Sequence, residues 1–164
     1  MLFRSAGDVA AADAVLEAAY ESGCAIRISR TTAAHAMSYQ ITKRLGYAHG
    51  HACMLTLPHL WARLHDSGAA QETLTALADA MGISVAQGPV LLRGLLAVTG
   101  LLPVAMPDED TLDALAASVN VQRLGNHPEV LTAPELRQIY VQAFAPVDAA
   151  ELAAVLEAWR TYEA

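Results

Sequence analysis

The sequence predicts an all-α fold, a multi-helix bundle, and three observations carry that prediction. Apolar residues recur at helical spacing along most of the chain. No stretch alternates strictly between apolar and polar residues with a hairpin turn at its end. Glycines, prolines and acidic residues stand where helices start and stop.

Taken in order, Asp8 caps a first helix through Val9, Leu16, Ala19 and Tyr20, which ends near Gly23 because glycine tolerates a left-handed C-terminal residue. Ser29 to Thr32 open a second helix with the body Ala33 to Arg44. Lys43 and Arg44 suit the negative end of its dipole, and Gly46 stops it. A third helix starts near His51 and runs through Met54, Leu57, Leu60, Trp61 and Leu64, with Pro58 inside it, to Ser67-Gly68. Ala70 to Ala80 form a fourth, stopped by Gly82. Val85 to Val98 form a weaker fifth, since Gly88, Pro89 and Gly94 fall within it. Pro107 and the acidic first turn Asp108, Glu109 and Asp110 open a sixth through Leu112, Leu115 and Val119. Asn126 to Val130 make a turn. Thr132-Ala133-Pro134-Glu135 is a capping box for a seventh helix, Leu136 to Phe144, and Asp148 caps the last. The expectation is a bundle of seven or eight short helices, with residues 1–164 forming a single helical domain.

Composition narrows the function classes. The 164 residues are 54% hydrophobic and 16% charged, which excludes intrinsic disorder. A net charge of −7, without a basic patch, argues against a nucleic-acid partner. Cys24 and Cys53 lie 29 positions apart with no Cys-x-x-Cys arrangement, so neither a disulfide scaffold nor a thiolate zinc site is expected. Met1 to Ser5 lead directly to Asp8 and Asp13, with no apolar core of a signal peptide. Val90 to Met106 is the most apolar stretch. It carries Arg93, two glycines and Pro103 and falls short of the roughly 20 residues a membrane span needs. A cytoplasmic protein without a membrane segment is expected.

The histidines carry the chemistry. Four of the six, His35, His49, His51 and His59, fall within 25 positions. From His35 to the helix end near Arg44 is roughly 13 Å at 1.5 Å per residue, and an extended return from Leu45 to His49 covers about that distance. His49 therefore folds back towards His35, and two neutral imidazoles so placed make half a site for zinc or ferrous iron. A histidine on an apolar helix face is equally an ordinary core residue, and spacing alone leaves both accounts open. His51 and His59 have the same two readings. Asp8, Asp13, Glu17 and Glu21 are available carboxylates but read more simply as a solvated helix face.

The run Ser29-Arg30-Thr31-Thr32-Ala33-Ala34-His35-Ala36-Met37-Ser38-Tyr39, then Gly46-Tyr47-Ala48-His49-Gly50-His51-Ala52 and Leu57-Pro58-His59, resembles the metal-binding half of the iron-dependent alcohol dehydrogenases. Its wording is most similar to the phosphonoacetaldehyde reductase branch. The resemblance implies that His35 and His49 are metal ligands for Fe(II) or Zn(II). It also implies that Tyr39 stands beside the substrate, at a position where many family members carry a histidine near the nicotinamide. Arg30 and Thr31, at a helix N-terminus with free backbone donors, are the expected binding place for a phosphonate or phosphate, and a plain helix cap accounts for the same residues.

The family pattern also includes an N-terminal dinucleotide-binding domain and an upstream Asp-x-x-x-His pair that completes the metal shell. No histidine precedes His35 and no glycine-rich strand-to-helix turn is present. The expectation is therefore a truncated domain of a metal-dependent NAD(P)H aldehyde or alcohol oxidoreductase, inactive alone. NAD(P) enters only if a separate nucleotide-binding chain supplies its site, and the substrate is a small aldehyde or phosphonate. The alternative is a non-catalytic helical module with a vestigial metal site, which binds a partner or associates with itself.

Overall fold

The computed structural model describes residues 9–103 and 105–163. Among them there are nine α-helices, one 3-10 turn and no strand, so the predicted all-α class holds. The helices are α1 Val9–Ile28, α2 Ala33–Leu45, α3 His49–Ser67, α4 Gln71–Met81, α5 Gly88–Val98, α6 Glu109–Ala117, α7 Val121–Leu124, α8 Ala133–Phe144 and α9 Ala149–Glu163, with the 3-10 turn at Val85–Gln87 before α5. No single helix among the described residues is long and apolar enough to cross a membrane.

Most boundaries follow the local chemistry. Gly46, Gly68 and Gly82 end α2, α3 and α4 with φ near +70°, a conformation that costs a side chain but not glycine. Asp108 Oδ1 accepts from Thr111 N at the start of α6, and Asp148 Oδ1 accepts from Glu151 N at the start of α9. Thr132 N and Oγ1 both donate to Glu135 Oε2, closing the first turn of α8.

Several readings change. α7, Val121–Leu124, makes nine helices among the described residues where seven or eight were expected, and α6 stops at Ala117, short of Val119. α1 passes through Gly23 and ends five residues later, where Ser29 Oγ donates to Ala25 O. Neither Ser29 nor Thr31 caps α2: the N-cap is Thr32, without a side-chain hydrogen bond. α3 begins at His49, two residues early, while the buried Pro58 lies inside it as expected. Gly88 and Pro89 divide the fifth segment into the 3-10 turn and α5, because proline is tolerated only in the first turn of a helix. The Asp8 cap and the run Met1 to Ser5 lie outside the described residues.

α3 is the central element, packed by α2, α4, α5 and α8, while α9 covers α5 and α6 lies on α8. Met37 and Ile41 of α2, Leu55 and Leu60 of α3, Leu112 and Leu115 of α6, and Tyr140 and Phe144 of α8 form the main core. Tyr140 donates to Met37 O at 3.0 Å, which satisfies a fully buried hydroxyl and locks α8 to α2. A smaller cluster under α4 is built on Trp61, whose Nε1 donates to Val85 O at 2.8 Å. Arg63 of α3 donates to Glu129 at 2.8 Å and Glu135 at 2.6 Å, tying the turn after α7 and the first turn of α8 to α3. α7 packs against α2. By contrast α1 buries none of its residues, with Leu16 and Tyr20 at least 70% exposed.

Candidate functional site

Two helices and a three-residue connection build the site. α2 presents a buried face of Ala33, Met37 and Ile41 to the core, which turns His35 and Tyr39 to the edge of the helix. Gly46 then reverses the chain, and His49 opens α3 directly opposite. The imidazoles of His35 and His49 meet edge to face, with ring centroids 4.7 Å apart. The Tyr39 ring closes a triangle at 5.0 Å from His35 and 5.3 Å from His49.

The hydrogen bonds decide which nitrogens remain available. His35 Nδ1 lies 3.2 Å from Thr31 Oγ1, and His49 Nδ1 lies 3.2 Å from Ser38 Oγ. Each Nε2 is therefore the nitrogen left over, with Cys53 Sγ 4.0 Å from that of His49. Burial lowers the His35 pKa, and the positive charges that His49 and Arg123 can carry lower it further, so its ring is neutral at pH 7. Burial raises the Cys53 thiol above its ordinary value and keeps it protonated.

Both rings meet one requirement of a metal-binding histidine, an outer partner on the second nitrogen that fixes the ring's orientation, and the lowered pKa of His35 adds a second. The pair supplies two ligands. No group of three or more His, Cys, Asp or Glu among the described residues is placed to hold an ion. Asp13, Glu17 and Glu21 sit on the exposed α1. His51 Nε2 is engaged by Leu101 O at 2.6 Å, and its ring packs on Tyr47. His59 lies two turns further along α3, beside Arg63, Asp66 and Gln142.

The other candidates separate. Thr31 reaches the site through His35. Arg30 stands exposed between α1 and α2, with no ion-pair partner among the described residues. The cation that does reach the site is Arg123 of α7, which donates to the Tyr39 hydroxyl and lies 4.4 Å over the Tyr39 ring centroid. It too lacks a carboxylate partner among the described residues. Sequence reasoning missed Arg123, which is 84 positions from Tyr39 on a four-residue helix that no periodicity reveals. It also missed Ser38 and Cys53. Both are placed by simple helical spacing, one turn after His35 and His49 respectively, which is the signal that would have found them.

Comparison with known proteins gives two matches. Residues 2–144 match the family described as Fe-containing alcohol dehydrogenase family, C-terminal. A phosphonoacetaldehyde reductase of Streptomyces viridochromogenes is 33% identical over 145 residues, covering 82% of this chain. The chain spans 37% of that relative's length. No solved structure matches.

Proposed function

The chain belongs to the Fe-containing alcohol dehydrogenase family, whose C-terminal part it matches, and from that premise we propose that it is the metal-holding helical part of an oxidoreductase interconverting a small aldehyde and its alcohol. The observation that carries this reading is the His35–His49 pair, with facing rings and Nδ1 atoms anchored by Thr31 and Ser38. A bound iron or zinc ion supplies Lewis-acid polarisation of the carbonyl oxygen, and NAD(P)H supplies hydride.

The chain's own residues have three tasks in this proposal. His35 and His49 offer Nε2 lone pairs, and the lowered pKa of His35 keeps its lone pair free of a proton at neutral pH. Thr31 and Ser38 orient the two rings. Arg123 and Tyr39 form the wall beside them, where a guanidinium without a carboxylate partner suits an anionic tail on the aldehyde. The relative's name, phosphonoacetaldehyde reductase, supports a phosphonate as that tail. The remaining metal ligands and the nicotinamide site come from outside the described residues.

Metal content after purification without chelators tests the core of this reading. The expected result is iron or zinc bound by the wild type and lost from both His35→Ala and His49→Ala, each with at least about tenfold weaker zinc affinity. Wild-type metal no higher than in the two variants rejects it. The anion assignment has its own measurement, calorimetric titration with methylphosphonate. Arg123→Gln weakens binding by roughly tenfold, the scale of one charge-assisted hydrogen bond, and Arg30→Ala changes it less. A larger loss in Arg30→Ala returns the anion to the start of α2.

One observation favours a second reading. The exposed Leu16 and Tyr20 of α1 suit a helical module that binds another chain or a second copy of itself. That reading needs no metal, so the same metal measurement separates the two.

A further inference from the structure

Ser38 is fully buried in α2, between the two histidines in space, and its hydroxyl has one proton to give. Besides a contact with the Cys53 thiol, itself a weak donor, two acceptors compete for it. His35 O lies at 2.8 Å, the ordinary back-bond of a serine within a helix, and His49 Nδ1 lies at 3.2 Å. The shorter contact takes the proton. The oxygen then turns only lone pairs towards His49, and a lone pair facing a ring nitrogen is a stable contact only if that nitrogen carries a hydrogen.

We propose that Ser38 sets the tautomer of His49, holding the hydrogen on Nδ1 and leaving the lone pair on Nε2, so that one buried hydroxyl decides which nitrogen is offered to a metal ion. Without such a partner a neutral histidine in water favours the opposite tautomer, with hydrogen on Nε2. Ser38 works against that preference from a fully buried position. On the outer side, Nε2 meets no stronger partner than the Cys53 thiol at 4.0 Å, a weak donor. Because Ser38 also bonds to the carbonyl of His35, the hydroxyl couples the two histidines: it is fixed by the backbone of one and orients the ring of the other. Ser38 is thus a positioning residue, and it touches no reacting atom. Its consequence for metal binding rests on the reading of His49 as a ligand, whereas the tautomer itself does not.

The test is made on the metal-free full chain. Long-range proton–nitrogen correlation spectra near pH 8, with His49 assigned by its loss in His49→Gln, report the tautomer directly. The expected wild-type pattern is hydrogen on Nδ1, shifting towards Nε2 in Ser38→Ala. A wild-type His49 with hydrogen on Nε2 overturns the proposal without recourse to any variant, and so does an unchanged pattern in Ser38→Ala. Zinc(II) titration then measures the consequence, an affinity about 10–100-fold lower in Ser38→Ala; equal affinity removes the assigned role in metal binding. Hydrogen on Nδ1 together with no zinc uptake by the wild type supports the Ser38 assignment and overturns the metal reading instead.

Discussion

Gly88→Ala lowers the melting temperature of this protein by roughly 6–12 °C, equivalent to about 3 kcal/mol for a chain of this size. A methyl group at Gly88 falls 2.3 Å from Cε2 of Trp61, 2.6 Å from Cζ2 and 2.7 Å from Nε1. The indole has nowhere to move, since it is buried and its Nε1 is bonded to Val85 O at 2.8 Å. Relief therefore requires breaking that bond or shifting α5 from α3, and α5 also carries α9. The backbone at Gly88 is right-handed helical, so helix propensity alone favours alanine by up to about 1 kcal/mol. The predicted sign is opposite, and packing alone accounts for it. Gly23→Ala in α1, where a methyl meets nothing within 4 Å, is the matched control and leaves the melting temperature level or slightly raised. A shift below about 2 °C for Gly88→Ala in thermal circular dichroism contradicts the steric argument.

Between pH 6.5 and about 4 the protein loses up to about 3 kcal/mol of stability through His59. Burial, reinforced by the charge of Arg93, pushes this imidazole down to about 4. The unfolded chain takes up a proton near 6.5 and the folded chain does so only near 4, so across that window acid favours the unfolded state. The contribution is fully present above pH 6.5 and gone below about 4. His127 acts in the same direction. It is buried, neither ring nitrogen has a partner among the described residues, and desolvation outweighs the opposing pull of Glu129. Urea unfolding at pH 7.5 and 4.5 measures the loss, and His59→Gln removes the His59 share. Equal losses in wild type and His59→Gln refute the assignment.

Local chemistry made most of the helix ends readable, because a glycine at positive φ or an acidic cap acts over four residues and needs no partner from elsewhere. Gly46, Gly82, Asp108 and Thr132 are examples. The meeting of His35 and His49 was readable for a related reason, since helix rise and loop reach fix it. What the sequence did not disclose depends on distant contacts. The extension of α1 past Gly23 is one case, where a single glycine costs less than the helix gains around it. Arg123 is another. Its approach to Tyr39 depends on α7 docking against α2, a contact between elements more than 70 positions apart in the chain.

The connection between α2 and α3 gives the histidine pair a low entropic threshold. Loop-closure entropy rises with the logarithm of loop length, and here only residues 46–48 separate the two helices. The Tyr140 to Met37 bond closes 103 positions, and the Arg123 to Tyr39 contact closes 84. Folding rates fall as contacts become less local, so the histidine pair belongs to the part of the topology that assembles with the smallest conformational search. The cationic wall above it, held by long-range pairing, belongs to the part with the largest.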